Sequence, residues 1–151
     1  MERGHAAHSA LQPTARILIC DDMESIRSLL RLNLELEGYE VTEATTGREA
    51  LDILCGRQAP PDLVTLDALM PDVDGWEAVR TIRSTPRLAD LPIVMITASV
   101  QNADRERAVR AGVDAFVAKP FDPQRLLEII GQLIAVRRSG GARGTTLESS
   151  E

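Results

Sequence analysis

Five polar residues each stand at the end of a short apolar run. Asp21 and Asp22 follow Arg16-Ile17-Leu18-Ile19-Cys20, and Asp67 closes Leu63-Val64-Thr65-Leu66. Thr97 closes Pro92-Ile93-Val94-Met95-Ile96, and Lys119 follows Asp114-Ala115-Phe116-Val117-Ala118. One aspartate at a strand end is most simply a cap or a turn residue. Three carboxylates brought within a few ångströms are different, because they repel one another unless a cation neutralises them. Mg²⁺ suits such a site, since it favours carboxylate oxygen and keeps several of its waters. A carboxylate can also be the nucleophile in phosphoryl transfer, forming an aspartyl-phosphate. The barrier is then lowered by in-line positioning and by neutralising the equatorial oxygens. In that chemistry Asp67 accepts the phosphoryl group. Mg²⁺ holds one oxygen, Lys119 a second, and the Thr97 hydroxyl with backbone N–H groups the third.

The chemistry requires that the chain bring these five residues together. The apolar runs read as buried strands, because a strand covered on both faces is continuously apolar rather than alternating. Between them lie helical patterns: 24–37, about 46–54, 74–84, a weak one at 102–111, and 122–136. Thr46 with Glu49 has capping-box spacing, Asp74 and Asp122-Pro123 mark helix starts, and Gly38 and Gly112 mark helix ends. Residues 39–44 alternate as a strand near a sheet edge would. Strands alternating with helices at this spacing imply βα units and a parallel sheet covered on both faces. Right-handed crossovers then place every strand's C-terminal end on one rim, where such sheets bind ligands. Asp21, Asp22, Asp67, Thr97 and Lys119 all fall on that rim.

Other chemistries fit less well. The first βα turn, Cys20-Asp21-Asp22-Met23, lacks the glycines that a dinucleotide phosphate would want. Leu69 occupies the position two beyond Asp67, where haloacid-type phosphatases carry a second carboxylate. With 151 residues, net charge −6 and four aromatics, the chain is one domain poorly suited to gripping a nucleic-acid backbone by itself. No apolar run approaches the roughly 18 residues of a membrane span, and the first residues lack a signal-peptide core, so a cytoplasmic location is expected. Cys20 and Cys55 lack metal-site or CxxC spacing and are expected to be reduced core thiols. His5 and His8 have no acidic partners nearby in sequence to support a metal site.

Asp21-Asp22, Asp67 with Met70-Pro71 and Asp74-Gly75 behind it, Thr97-Ala98, and Lys119-Pro120 together resemble the receiver domain of bacterial two-component response regulators, of the stand-alone chemotaxis type. The likeness runs from about Ala15 to Val136. It implies a (βα)5 doubly wound fold with flavodoxin-like strand order 2-1-3-4-5. It also implies that Asp67 takes a phosphoryl group from a histidine kinase or a histidine phosphotransfer protein. Asp22 and Asp67 would ligate Mg²⁺ directly, Asp21 through water, and Leu69 through its backbone carbonyl. Lys119 would pair with the phosphoryl group, the Lys119-Pro120 bond would be cis, and Thr97 and Phe116 would act as switch residues. Phe116 stands where tyrosine is common, so any toggle there would rest on packing alone. Leu69 and Ser99, neither acid nor amide, imply slow autodephosphorylation.

The expected layout is an N-terminal arm over residues 1–14, a receiver domain over 15–137, and a Gly/Ser-rich tail or linker start over 138–151. The expected output is a protein-interaction surface on the fourth helix, fifth strand and fifth helix, serving a downstream protein target or a homodimer. That surface is suggested by the weak fourth helix and by the wide apolar arc of the last one, Leu126 to Val136. The chain reads as a stand-alone regulator and not as a signalling enzyme. The alternatives are the receiver piece of a longer regulator, a receiver-fold binding module that is never phosphorylated, and a metal-dependent phosphohydrolase for small substrates.

Overall fold

A computed structural model describes residues 15–98, 101–140 and 147–149. The expected N-terminal arm, with His5 and His8, lies outside the described residues, as does Ser99. The elements run β1 (Arg16–Cys20), α1 (Glu24–Leu36), β2 (Glu40–Ala44), α2 (Gly47–Leu54), β3 (Leu63–Leu66), α3 (Gly75–Ser84), a 3-10 turn (Pro86–Leu88), β4 (Ile93–Thr97), α4 (Asn102–Ala111), β5 (Ala115–Ala118), α5 (Pro123–Arg138) and β6 (Leu147–Ser149). All pairings are parallel, and the sheet order is β2-β1-β3-β4-β5-β6. The first five strands thus take the expected 2-1-3-4-5 arrangement.

The inner strands are apolar at nearly every position because alternate residues feed two separate cores, with Thr65 and Thr97 the buried polar exceptions. Ile17, Ile19, Val94, Ile96 and Val117 join Leu30 and Leu34 of α1 and Leu126, Ile129, Ile130 and Ile134 of α5. Leu18, Cys20, Val64, Leu66, Met95 and Phe116 face the other way, onto α2, α3 and Ala108 of α4. Sheet pleating sends neighbours to opposite faces, so each strand needs apolar residues at every position. β2, at the edge, buries Val41 in one core and Ala44 in the other, with Glu40 and Thr42 exposed and Glu43 half-buried, so its burial departs from the simple alternation expected of its sequence.

The helix starts follow capping chemistry. The Thr46 hydroxyl accepts from Glu49 N at 3.0 Å, while the Glu49 carboxylate turns back to Thr45 N, one residue before the cap. Asp74 and Asp122 accept from the N–H groups of Glu77 and Gln124. Gly112 closes α4 at φ 90°, a left-handed conformation that costs glycine nothing.

Three further features depart from the sequence expectations. β6 puts a strand where a flexible tail was expected over 138–151: Leu147 N donates to Asp114 O at 2.8 Å, and residues 147–149 pair with 115–117. A three-residue strand with one apolar side chain is too short for a periodicity signal, and the unpaired edge of β5 provides the pairing template. Cys55 is exposed, whereas Cys20 is buried; Cys55 caps the end of α2, so helical context did not put it in the core. The apolar arc of α5 is largely consumed by the fold, with Leu126, Ile129, Ile130 and Ile134 buried and Leu127 and Leu133 packed beside them. Only Val136 is left exposed.

At the sheet's opposite end, a buried ion pair holds the frame together. Asp114, 4% exposed, accepts from Arg83 at 2.8 Å and from Ile93 N at 2.9 Å. The same guanidinium donates to the carbonyls of Gly112, Ala89 and Leu91. It ties the end of α3 to the entries of β4 and β5. No motif announced this pair, whose members are 31 residues apart in sequence.

Candidate functional site

The rim assembles as the strand ends dictate. Asp21 and Asp67 follow adjacent strands, β1 and β3, and a backbone bond from Asp67 N to Cys20 O closes the gap between them. Carboxylate oxygens of Asp21, Asp22 and Asp67 all lie within 4.8 Å of one another. Asp21 and Asp67 are buried, and Asp22 is exposed at the mouth. Lys119 reaches across from the end of β5, and its ammonium donates to Asp67 Oδ2 at 2.7 Å and to Asp21 Oδ2 at 2.8 Å.

The remaining carboxylate oxygens are held by backbone. Met23 N donates to Asp21 Oδ1 at 2.9 Å, and Leu69 N to Asp67 Oδ1 at 3.0 Å. Both buried carboxylates are therefore oriented from two sides. Asp22 makes no such bond among the described residues. Three carboxylates against one ammonium leave two negative charges uncompensated, which suits a divalent cation of hard, oxygen-seeking character. These residues fit a metal.

Thr97 is fully buried at the end of β4, and its carbonyl accepts from Lys119 N at 2.9 Å, so the two strand ends are locked together. The Lys119-Pro120 peptide bond is cis. Burial alone would lower the Lys119 pKa. Its hydrogen bonds to Asp21 and Asp67, with their charges, outweigh that effect and raise it, keeping the ammonium charged. Burial pushes the neighbouring Cys20 thiol up to about 12, with help from the carboxylates around it.

Gly75 controls how closely α3 approaches the Asp67 loop. A side chain there would bring its Cβ to 2.8 Å from the Ala68 Cα and 2.9 Å from the Asp67 carbonyl carbon, closer than such atoms pack. Only glycine lets Gly75 N reach Ala68 O at 3.0 Å and pin the loop. The Asp74-Gly75 pair signalled a helix start; its part in seating Asp67 was not legible. Leu69 itself is 64% exposed, two residues beyond Asp67.

Phe116 is buried, pointing into the face that carries α3 and α4, and stacks on Trp76 with centroids 6.4 Å apart. Arg107 of α4 places its guanidinium over the Trp76 ring, 4.5 Å from the centroid. Sequence reading missed both partners. An aromatic two positions past a helix cap and an arginine on a weak helix carry no signal until the fold sets them together.

This arrangement defines a class: a parallel α/β domain with an acidic, lysine-bridged pocket at its strand ends. The Response regulator receiver domain family matches residues 17–131, and the chain belongs to it. Its relatives include the transcriptional regulatory protein GltR of Pseudomonas aeruginosa, 39% identical over 85% of this chain and 52% of that protein. The chain thus spans about half the length of curated relatives of this kind. Among solved structures, a CheY-like response regulator receiver domain protein from Methanospirillum hungatei JF-1 superposes with TM-score 0.76 at 30% identity, covering 85% of this chain and all of that one. The receiver domain of sensor histidine kinase PA1611 from Pseudomonas aeruginosa PAO1, solved with magnesium in its active-site cleft, gives TM-score 0.73 at 30% identity over 82% of this chain and 99% of its own. Among the described residues no helix is long and apolar enough to cross a membrane.

Proposed function

We propose that the chain is a phosphoacceptor that takes a phosphoryl group onto Asp67 from the phosphohistidine of a histidine kinase or histidine phosphotransfer protein. The observation that carries this reading is the Lys119 ammonium bridging Asp67 and Asp21 inside a three-carboxylate cluster. A carboxylate oxygen of Asp67 attacks phosphorus, the bond from phosphorus to the donor nitrogen breaks, and that nitrogen leaves with its electron pair. Lys119 then exchanges a carboxylate oxygen for a phosphoryl oxygen while keeping its charge. Thr97, at the adjacent strand end, supplies a hydroxyl to another. Mg²⁺ would be held by Asp22 and Asp67 directly, by Asp21 through water and by the Leu69 carbonyl. When bound, it would supply the positive charge that the cluster lacks.

The donor's docking surface is best sought on α1. Leu29, Leu32 and Leu36 form an exposed apolar stripe there, and exposed Met23 lies between that stripe and Asp22. For the output we retain the α4, β5 and α5 face, with Val109 and Val136 exposed on it. Its use by a downstream target or by a homodimer would have to accommodate β6 on the β5 edge. Phe116, already inward, would act by shifting its stack on Trp76, and a cytoplasmic location goes with such a donor. The chain could serve alone or as the receiver part of a longer regulator, as the length of GltR allows.

The test is intact-mass measurement after incubation with Mg²⁺ and acetyl phosphate. One added phosphoryl group, absent in Asp67→Asn, is expected. No adduct would favour an unphosphorylated binding module, and steady phosphate release without an adduct would favour a phosphohydrolase.

A further inference from the structure

Away from the carboxylate cluster, α3 and α4 enclose a groove of about 370 Å³ lined by Trp76, Arg80, Arg83, Ser84, Arg107 and Arg110, with Ala111 at its edge. That volume is within the range of small-molecule sites, about 300–1,000 Å³. No carboxylate lines it, although the chain as a whole carries a net charge of −6. Helical spacing produces the concentration: Trp76, Arg80 and Ser84 repeat every four residues on α3, and Arg107 and Arg110 lie three apart on α4. Arg83 is spent on Asp114 and three carbonyls. Arg80, Arg107 and Arg110 are exposed, and none forms an ion pair among the described residues. Three guanidinium groups therefore gather in one concavity with no ion-pair partner among the described residues. Like charges held together this way cost stability, and a bound anion would relieve that cost.

The groove also offers a flat surface. Trp76 stacks on Phe116 with ring centroids 6.4 Å apart, and the Arg107 guanidinium lies over the indole 4.5 Å from its centroid. Phe116 and Trp76 are buried, and Arg107 is exposed. A guanidinium plane resting on an aromatic ring can take a second planar group on its outer face. Arg80 and Arg110 line the same groove as Arg107, and guanidinium forks match phosphate oxygens in pairs.

We propose that the α3–α4 groove binds a nucleoside di- or triphosphate, with its base stacked on Arg107 and its phosphates held by Arg80 and Arg110. The three positive charges correspond to the three or four negative charges of such a ligand, and the groove's volume falls in the range of small-molecule sites. This site is distinct from the Asp67 pocket and does not depend on phosphoryl transfer there.

The test is calorimetric titration of the whole chain with ATP, GTP and inorganic triphosphate in metal-free buffer with chelator, so that the carboxylate cluster takes no part. A dissociation constant on the order of 10–100 μM for at least one nucleotide is expected, with inorganic triphosphate clearly weaker. Arg107→Gln and Arg110→Gln should each weaken binding roughly tenfold, with the circular dichroism spectrum unchanged. Asp67→Asn should bind as the parent does. Trp76, the single tryptophan, gives an independent optical readout in the parent chain. Absence of nucleotide binding would overturn the proposal. So would triphosphate binding as tightly as the nucleotides, tighter binding of a single-stranded oligonucleotide, or affinity that survives loss of both arginines.

Discussion

Lys119 is the only cation bonded to the carboxylate cluster among the described residues, and replacing it with methionine isolates its electrostatic role. Its ammonium contacts two carboxylates at 2.7 and 2.8 Å, and its side chain is 11% exposed. At an effective dielectric of about 20, each unit-charge pair near 4 Å contributes about 4 kcal/mol before desolvation is subtracted. Removing one partner of a buried pair costs roughly 3–5 kcal/mol, because the remaining charge is left uncompensated. Lys119→Met should therefore unfold at markedly lower urea concentration than the parent in metal-free buffer at pH 7. Mg²⁺ should restore about 2–3 kcal/mol when present at 100 times its dissociation constant. The sign with pH follows from the raised pKa of Lys119. The stabilisation is fully present below the ordinary lysine value of 10.5 and is lost only as pH rises through the higher folded-state value. The parent and the variant should thus converge in alkali, not at neutral pH. A variant within about 1 kcal/mol of the parent at pH 7 without metal would refute the reasoning.

Other outcomes follow from the same structure. Asp114→Ala removes the carboxylate that faces the Arg83 guanidinium and Ile93 N, leaving Arg83 bonded to the neutral carbonyls of Gly112, Ala89 and Leu91. It should cost about 3–5 kcal/mol in urea unfolding, while the Asp67 pocket at the far end of the sheet should still take up a phosphoryl group. Cys55 should react quickly with a thiol reagent at pH 8, whereas Cys20, buried and with its pKa near 12, should react only on unfolding. Because the unfolded thiol ionises first, Cys20 contributes stability below pH 9 that is lost between about 9 and 12, at up to roughly 1.4 kcal/mol per pH unit. The phosphorylated chain should lose its phosphoryl group slowly, since apolar Leu69, two residues beyond Asp67, orients no water. Leu69→Gln should shorten the lifetime severalfold, and an unchanged decay would remove Leu69 from the account.

Much of the fold was legible because buried parallel strands leave a strong trace. Leu63–Leu66, with Thr65 its one polar member, and Ile93–Ile96 are buried at every position, and the polar residue that ends each run, Asp67 or Thr97, marks the rim. The positions of the five residues on the rim were therefore legible from sequence, as were the caps at Thr46, Asp74 and Asp122. What escaped detection depends on long-range geometry. Arg83 and Asp114 each resemble ordinary surface charges until packing buries them. The closeness of Gly75 to the Asp67 loop is a tertiary fact with no sequence period, and the contacts of Trp76 with Phe116 and Arg107 draw on three different elements. β6 escaped for a different reason, because backbone pairing alone can hold three residues on an open edge. Cys55 and the α5 arc show the limit of helical context, which fixes a face but not what covers it.

The most direct test of the central claim is to locate the phosphoryl group itself. Borohydride reduction of the phosphorylated chain converts an acyl phosphate to homoserine, and peptide mapping then reads the position. Homoserine at residue 67, and nowhere else, is the predicted result. Homoserine at Asp21 or Asp22, or a phosphoryl group that resists borohydride on a hydroxyl, would contradict it.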